Sequence, residues 1–472
     1  MSIIDTVLNV WILLIKILVL VVSHTIHKFF GIRIFLKNFE DDNDFKTCSD
    51  NAIYDKIIHA NDISEIASIQ GYTIREHVVA TKDEYLLVIH KLEKRDGGIT
   101  NANGKIAYFH HGLLTNSELF ILGTKKEKSL PFLLVDLGYE VWLGNNRGNK
   151  YSRKHLKYSV CDKKFWNFSL DEFALYDIPD TIDYILSLYP PHSTLTYIGF
   201  SQGCSQLFAS LSLKPELNSK LNMFIALSPA VIPNNLKHPI FRIIVRQAAK
   251  DNNFLYSLFG ERALMPSVSF WSYVMGSRLY ERVVDSSLTY LFGWSGNNIG
   301  ALQKRIGYPH MFSNASVKCL THWFQIINSK RFQMFDETCK FGVTNLAVLS
   351  STLKSKSHCV APFPVSHHLN LPIILVYGNS DILVDIELTK KLITDQNPKM
   401  KNKLIDTIEC SSYEHMDPLW ANDVYEKVFS KVINAMESMH NKRFPNRLSI
   451  DKYNNSNSSL HLSSSHVDSL YS

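Results

Sequence analysis

The sequence predicts an α/β fold that carries a large, mostly helical insertion and an N-terminal membrane-anchoring helix. Short apolar segments with the length of buried strands alternate with segments of helical periodicity, as in α/β proteins. One of these strands runs directly into a Gly-x-Ser-x-Gly turn at residues 199–203. Residues 3–30 are strongly apolar, and more than 140 residues without a convincing strand separate the predicted strands at 223–227 and 373–378.

The turn at residues 199–203 predicts a nucleophile. A buried strand, then Gly199, Ser201 and Gly203, then a helix is the pattern of a nucleophile elbow. The two glycines have no side chains, so the strand and the helix can approach closely while Ser201 stands clear of the backbone. The turn also aims the backbone N–H of Gln202 at the position where an oxyanion would form. We therefore predict Ser201 as the nucleophile and Gln202 as one oxyanion donor.

A second oxyanion donor is expected at the end of an earlier strand. Residues 106–109 form a short buried strand that runs into His110, His111, Gly112, Leu113 and Leu114. Hydrolases with a nucleophile elbow place their other donor in a His-Gly loop of this kind. We assign that donor to the backbone N–H of Leu113, and the alternative is a plain tight turn.

The acid and the base are expected after the insertion, in the chain order Ser, Asp, His. Asp381 lies just beyond the strand at 373–378, and Asp385 is a rival four residues later. Asp381 is favoured because it is nearer the strand end, although either carboxylate could instead cap the following helix. His415 lies in a loop between a strand at 403–409 and a helix that begins near Asp423, which is the expected place for the base.

These residues together predict acyl-enzyme chemistry. His415 would take the proton of Ser201 as the hydroxyl attacks an ester carbonyl, and Asp381 would fix the imidazole tautomer. The N–H groups of Leu113 and Gln202 would hold the tetrahedral oxyanion. Water activated by His415 would then clear the acyl group. The scheme requires no metal and no organic cofactor.

The remaining elements follow the same pattern along the chain. Strands are predicted at 85–90 and 140–143. Ser169 to Glu172 has the form of a capping box and predicts a helix start. Pro179 either kinks that helix or begins a new one that Asp177 caps.

The predicted insertion is basic, whereas the chain as a whole is nearly balanced. Residues 231–366 contain fifteen Lys and Arg but six Asp and Glu, and the net charge of the whole chain is +6. Two interpretations of this excess stay open, a face turned to an anionic surface and a solvated basic face. The modest total charge gives no indication of nucleic-acid binding. Seven cysteines without a CxxC motif argue against a disulfide framework or a zinc site and favour a reducing compartment.

The N-terminal segment predicts attachment to a membrane. On a helix, Asp5, Asn9, Lys16, Ser23 and His27 fall within a stripe about 40° wide, and most other positions are large and apolar. Such a helix can lie deep in a lipid interface with its lysine reaching the headgroups, or it can span the bilayer against a partner. Basic residues follow the segment, so the catalytic body is expected in the cytosol.

The predicted domains are a hydrophobic anchor at 1–37, a first core part at 38–230, an inserted cap at 231–366, a second core part at 367–440 and a disordered tail at 441–472. The tail is rich in Ser and Asn and poor in large apolar residues. The sequence does not fix an oligomeric state.

Four motifs resemble the acid-lipase family of α/β-hydrolases, which includes gastric and lysosomal lipases. They are His111-Gly112-Leu113-Leu114, the segment 136–149, Gly199-Phe200-Ser201-Gln202-Gly203 and Tyr413-Glu414-His415-Met416-Asp417. Residues 144–152, the stretch 322–326 and the N-terminal anchor are most similar to the membrane-anchored sterol ester hydrolases of budding yeasts. The resemblance covers about residues 69–440.

The resemblance implies hydrolysis of steryl esters, with triacylglycerols as the alternative substrate, at lipid droplets or the endoplasmic reticulum. It also supports Ser201, Asp381 and His415 as the triad. Residues 383–386 lack the proline of the matching motif in secreted lipases, and no secretory start precedes the body, so secreted or lysosomal action is not expected. Two alternatives remain, a non-catalytic lipid-surface scaffold with the same fold and an esterase that acts on a small soluble ester.

Overall fold

The computed structural model describes residues 49–95, 104–234, 236–264, 268–337, 360–395, 397 and 405–443. The predicted anchor at 1–37 and nearly all of the predicted tail at 441–472 lie outside these residues. Contacts divide the chain into a first unit that ends at Lys56 and a second unit that begins at Ile57. The structure describes only residues 49–56 of the first unit, and these residues are helical. No helix in the described ranges is long and apolar enough to cross a membrane.

A mixed sheet forms the centre of the second unit. In the described part of the chain its strands follow the order β1-β2-β4-β3-β6-β7-β10-β11, and the short β5 pairs with β2. Neighbours from β4 to β11 are parallel, whereas β2 is antiparallel to β1, β4 and β5. The strands are β1 Tyr72–Ala80, β2 Tyr85–Lys94, β3 Ile106–His110, β4 Glu140–Leu143, β5 Lys154–His155, β6 Leu195–Phe200, β7 Leu221–Leu227, β10 Ile373–Gly378 and β11 Ile405–Cys410.

Helices connect the strands of this sheet along the chain, and several of them lie between β7 and β10 in the sequence. The α-helices are α1 Ser49–Ile58, α2 Ile63–Ile69, α3 Leu130–Asp136, α4 Leu170–Glu172, α5 Ile178–Ser187, α6 Gln202–Leu213, α7 Pro239–Lys250, α8 Asn252–Phe259, α9 Val268–Phe292, α10 Ala301–Met311, α11 Val317–Ser329, α12 Val365–His368, α13 Ile386–Thr394, α14 Asp417–Trp420 and α15 Ser430–Arg443. Two π-helical turns, Phe173–Asp177 and Tyr425–Phe429, precede α5 and α15. Helix α9 is broken at Gly276, where φ is 69°.

The central strands are apolar along their whole length because both of their faces are covered. Every residue of β3, β6 and β10 is buried. Continuous apolar runs of this kind are typical of parallel strands with helices on both sides. The edge strand β1 instead leaves about half of its residues exposed. The predicted α/β class, with its core strands at 106–109, 140–143, 223–227 and 373–378, is confirmed.

The start of the helix after residue 169 is confirmed, because Ser169 and Glu172 form the reciprocal capping box. Of the two alternatives for Pro179, a new helix capped by Asp177 is excluded. Asp177 makes no capping bond, and the helix continues through a π turn into α5. The buried Asp177 carboxylate instead accepts hydrogen bonds from Arg147, at 2.8 Å from Nε and 2.5 Å from Nη2.

The residues between β7 and β10 form helices and one very short sheet. Helices α7 to α11 lie here, and β8 Ala263–Leu264 pairs with β9 Ala315–Ser316. A small apolar cluster of their own, which includes Leu236, Val245, Leu255 and Phe324, holds several of these helices together. We name residues 231–337 the helical insert. Most of the described residues of the helical insert are therefore helical.

Several details differ from the sequence predictions. Helix α2, whose Ile63 and Ile66 are fully buried, lies within the predicted first core part at 38–230 but was not itself predicted. Strand β1 was not predicted because its alternation is interrupted by adjacent exposed residues. The strand predicted at 403–409 corresponds to β11, Ile405–Cys410. The helix expected to begin near Asp423 is α15, and the π turn Tyr425–Phe429 precedes it.

Candidate active site

Ser201 occupies the sharp turn that the Gly-x-Ser-x-Gly pattern predicts. Its backbone has φ 54° and ψ −118°, which is a strained conformation for a residue with a side chain. Its N–H donates to the carbonyl of Leu227 at 2.9 Å, which ties the turn to β7. A Cβ on Gly203 would lie 2.3 Å from the carbonyl oxygen of His110, and one on Gly199 would lie 2.9 Å from the N atom of Cys204. At both positions a neighbouring backbone segment is so close that only glycine, which has no Cβ, fits.

His415 and Asp381 complete a hydrogen-bonded line with Ser201. The His415 Nε2 atom lies 2.8 Å from Ser201 Oγ, and Nδ1 lies 2.6 Å from Asp381 Oδ2. The other carboxylate oxygen of Asp381 accepts the N–H of Leu383 at 2.9 Å. The carbonyl of His415 accepts the hydroxyl of Ser228 at 2.8 Å, which anchors the histidine loop to the end of β7. Three residues far apart in the sequence thus lie within one proton-transfer geometry.

The rival carboxylate has a different role in the structure. Asp385 is the N-cap of α13, and its Oδ1 accepts the N–H of Leu388 at 3.0 Å. Asp381 contacts His415, whereas Asp385 satisfies a helix terminus. The sequence left open whether each carboxylate contacts the histidine or caps the helix. In the structure Asp381 contacts His415 and Asp385 caps α13.

The loop expected to hold the oxyanion lies directly beside Ser201. A Cβ on Gly112 would stand 2.9 Å from the Cβ of Ser201 and 3.2 Å from its Oγ, so only glycine fits there. Leu113 is the next residue, and it packs partly buried against the main core. Gln202 is the first residue of α6, where a backbone N–H has no acceptor within the helix. The two predicted donors therefore lie on the two segments that meet at Ser201.

The side chain of Gln202 is fixed by the helical insert. Its Oε1 accepts the indole N–H of Trp323 at 2.6 Å and lies 3.3 Å from the thiol sulfur of Cys319. Both partners are on α11, and all three residues are buried. The insert thereby holds the residue that follows Ser201 in one orientation.

His111 fixes the Gly112 loop from the other side, a role that sequence reasoning did not assign. Its Nε2 accepts the backbone N–H of Asn146 at 3.0 Å, so Nδ1 carries the proton and donates to the carbonyl of Gly112 at 2.8 Å. Burial lowers the pKa of His111 to about 3, which keeps the ring neutral and this tautomer populated. The sequence pointed to this role only through the two motifs that His111 joins, at residues 110–114 and 144–149.

The segment around Asn146 is a buried polar network. Asn146 Oδ1 accepts from His110 Nε2 at 2.8 Å and from Gln206 Nε2 at 2.6 Å, which links the loop to α6. Burial lowers the pKa of His110 to about 4. The next residue, Arg147, is buried between the carboxylates of Asp177 and Asp83, with its Nη1 2.6 Å from Asp83 Oδ2. These contacts make the backbone behind the site rigid.

The three residues are nearly sealed from solvent. Ser201 is 8% exposed and His415 is 5% exposed. The His415 ring lies 5.2 Å from that of Phe200 and 5.4 Å from that of Trp294, centroid to centroid. Trp294 belongs to the helical insert, so the insert covers the base in this structure. Among the described residues, no group of three or more His, Cys, Asp or Glu side chains could hold a metal ion.

Comparison with known proteins gives the family. A family model described as "alpha/beta hydrolase fold" matches residues 108–416, which is more than half of the chain. The chain belongs to the α/β-hydrolase family. A second model, described as "partial alpha/beta-hydrolase lipase region", matches residues 63–124.

The relatives of this α/β-hydrolase are named lipases. It is 41% identical over 390 residues to probable lipase C1672.09 of Schizosaccharomyces pombe, covering 82% of this chain and 79% of the relative. It is 30% identical over 380 residues to gastric triacylglycerol lipase of Rattus norvegicus, covering 79% of this chain and 91% of the relative. Lipase member K of Homo sapiens is 31% identical over 380 residues, with 79% and 90% covered. The resemblance to the acid-lipase family is confirmed, and this α/β-hydrolase is a carboxylic ester hydrolase.

Proposed function

We propose that this hydrolase cleaves steryl esters at a lipid surface, releasing free sterol and fatty acid, with Ser201, His415 and Asp381 as its triad. The alternative is a triacylglycerol lipase that uses the same residues. The single observation that carries the triad is the continuous hydrogen-bonded line from Ser201 Oγ through both nitrogens of His415 to Asp381.

The geometry supports a two-step reaction. Nε2 of His415 takes the Ser201 proton while Oγ attacks the ester carbonyl, and the Asp381 carboxylate stabilises the imidazolium that forms. The N–H groups of Leu113 and Gln202 stabilise the oxyanion of the tetrahedral intermediate. When that intermediate collapses, the proton on His415 passes to the departing sterol oxygen. In the second step water loses a proton to His415 as it attacks the acyl-enzyme carbonyl. When this second tetrahedral intermediate collapses, His415 gives that proton to the departing Ser201 Oγ and the fatty acid is released.

The preference for steryl esters rests on the sequence resemblance to sterol ester hydrolases of budding yeasts. The triacylglycerol alternative is supported by the name of the relative gastric triacylglycerol lipase. Both substrates are bulky neutral esters that pool in lipid phases, and a nearly sealed site that an insert covers suits substrates that enter from such a phase. No cofactor enters this scheme.

Action at a lipid surface is supported by helix α7 of the insert. The helix contains Arg242, Arg246 and Lys250 and no acidic residue, and all three are exposed. On the same exposed side Ile240 and Ile243 are 54% and 57% exposed. Large exposed apolar side chains beside basic ones suit an anionic lipid surface. A groove of ≈ 670 Å³ lined by Lys237, His238 and Tyr290, among others, adjoins the start of this helix.

The location is a second part of the proposal. We propose that residues 1–37 attach the protein to lipid droplets or the endoplasmic reticulum, with the catalytic body in the cytosol. The proposal rests on the apolar sequence of residues 3–30 and on the basic residues that follow it.

A substrate panel tests the proposed function. Purified full-length protein is assayed with steryl oleate, triolein and a short p-nitrophenyl ester, each beside Ser201→Ala. We expect all three to be cleaved only by the unmodified enzyme, with steryl oleate preferred over triolein. A preference for triolein would select the lipase alternative, and a lack of any turnover would select a non-catalytic scaffold.

A further inference from the structure

Trp294 is the residue of the helical insert that touches the proposed base. Its indole is parallel to the imidazole of His415, with 5° between the ring planes and 5.4 Å between the centroids. Phe292 stacks on Trp294, with 4.3 Å between the ring centroids and 21° between the ring planes. Phe200 contacts the imidazole at 49° to its plane. The orientation of the His415 ring is therefore limited by aromatic contacts as well as by its two hydrogen bonds.

The backbone that carries Trp294 is bonded to the loop that carries His415. The backbone N–H groups of Ser295 and Gly296 donate to the two carboxylate oxygens of Glu414, at 2.6 Å and 2.8 Å. Charge-assisted bonds of this length are among the stronger hydrogen bonds in proteins. Glu414 directly precedes His415, so the carboxylate joins the two loops at the site itself.

A second set of bonds closes the same junction. The side-chain N–H groups of Asn298 donate to Asp417 Oδ2 at 2.7 Å and to the carbonyl of Ser412 at 2.8 Å. The carbonyl of Asn298 accepts the N–H of Asn422 at 2.9 Å. We name residues 294–298 the 294–298 turn. Its bonds reach residues on both sides of His415, which fixes the indole relative to the imidazole.

Trp294 is itself buried, so its ring contacts with His415 and Phe292 are shielded from solvent.

We propose that Trp294 is a positioning residue for His415. Its ring face keeps the imidazole in the plane that joins Ser201 to Asp381, and the negative face of the indole stabilises the imidazolium that forms as Ser201 loses its proton. Glu414 holds the 294–298 turn, and thus the indole, in register with the base. The inference rests on the proposed triad.

The test compares Trp294→Leu with Trp294→Phe in the full-length protein, using p-nitrophenyl butyrate as a soluble ester. Leucine fills much of the space but has no ring face, so we expect kcat to fall about 10-fold with KM within about 2-fold. Phenylalanine restores the stacked face, and its kcat should stay within about 3-fold of the unmodified value. Thermal unfolding is measured for both variants.

Glu414→Gln is the second variant, which keeps the test usable if Trp294→Leu does not fold. It weakens the bonds to the 294–298 turn without touching the indole, and kcat should fall about 3- to 10-fold. Glu387→Gln, on the exposed side of α13, is the matched control and should keep the unmodified kcat.

Two results would overturn the inference. One is equal kcat for the leucine and phenylalanine variants, and the other is a change in KM alone, which would make Trp294 a wall of the substrate pocket. Ser201→Ala separates this failure from that of the proposed function. Inactive Ser201→Ala beside fully active Trp294→Leu removes only the inference, whereas active Ser201→Ala removes the triad and the inference together.

Discussion

Two aspartates four residues apart show how position decides chemistry at the residue scale. Asp381 ends the turn after β10 and faces His415, whereas Asp385 faces the first turn of α13. Both are carboxylates that accept N–H donors. They differ in the donor, which is the imidazole of His415 for Asp381 and a helix terminus for Asp385.

Asp381→Asn should therefore lower kcat by about 10⁴-fold, because an amide at this position favours the wrong imidazole tautomer. Asp385→Asn should leave kcat and the unfolding temperature nearly unchanged, because asparagine caps helices about as well as aspartate. Steady-state hydrolysis of p-nitrophenyl butyrate and thermal unfolding measure both effects. If Asp385→Asn were the more damaging to kcat, the assignment of the acid would be wrong.

The residues that sequence could predict are those whose role follows from chain order. Ser201, Asp381 and His415 each follow a strand, and parallel strands bring their carboxyl ends to one edge of a sheet. His111 and Trp294 were not assigned a role, because their partners, Asn146 and His415, are distant in the sequence. Nothing in the local pattern distinguishes a histidine that bridges two loops from one that only fills the core.

At the element scale, the junction between the 294–298 turn and the histidine loop contains a buried carboxylate. Asp417 is fully buried, and burial raises its pKa to about 6 despite the bonds from Glu414 N–H and Asn298. One of its oxygens, Oδ1, has no partner within the described residues. The 294–298 turn is thus held partly by the Asp417 carboxylate, whose pKa is higher in the folded protein than in the unfolded chain.

This carboxylate predicts a pH-dependent stability. An unfolded aspartate titrates near 4, so between pH 4 and 6 the folded state binds a proton that the unfolded state lacks. The contribution of Asp417 to stability therefore falls as pH rises through this window, by up to about 3 kcal/mol. Asp417→Asn has no carboxylate to ionise. The unfolding temperature of this variant, relative to that of the unmodified protein, should therefore rise from pH 4 to pH 7.

Thermal unfolding at pH 4, 5, 6 and 7 measures the difference between the two proteins. Glu387→Gln, which is exposed, should give a curve parallel to the unmodified one. A constant difference between Asp417→Asn and the unmodified protein across the four pH values would contradict the prediction.

Elements were predictable where one sequence pattern fixed one structure. The buried strands β3, β4, β6 and β10 are short apolar runs and appear where expected. The sequence left the role of Asp177 open, because a residue before a Pro-containing helix start can cap it, and the fold shows that its carboxylate pairs with Arg147 instead. Strand β1 was missed because an edge strand with solvent on both faces loses its alternation.

At the scale of the whole molecule, the proposal requires the insert to meet a lipid surface. The double variant Ile240→Ser/Ile243→Ser should lower the rate on emulsified triolein or steryl oleate at least about 10-fold. Each isoleucine is a little more than half exposed, so it contributes roughly 0.8–1.6 kcal/mol when it leaves water. Hydrolysis of p-nitrophenyl butyrate should not change. Initial rates on both substrates measure the effect.

Leu156→Ser, an equally exposed leucine outside the insert, is the control and should retain both activities. Deletion of residues 1–37 in the same assay compares the predicted anchor with the insert. Loss of the emulsion rate in the deletion but not in the double variant would assign lipid attachment to the anchor alone and contradict the role of α7.

The sequence predicted the family and the order of the core parts because these depend on motifs spaced along the chain. It did not predict how the insert holds the site. The bonds from Trp323 to Gln202 and from the 294–298 turn to Glu414 join residues that are more than 100 positions apart in the sequence. The substrate itself is also not encoded in a local pattern, which is why it is proposed from resemblance and tested by a panel.

The central claim is that Ser201 is the nucleophile, and covalent labelling tests it most directly. The full-length protein is treated with a fluorophosphonate, and the labelled peptide is identified by mass spectrometry while hydrolysis of p-nitrophenyl butyrate is followed. We predict one adduct, on Ser201, with loss of activity in proportion to labelling, and neither adduct nor activity in Ser201→Ala. Labelling and hydrolysis at the unmodified rate in Ser201→Ala would contradict the account.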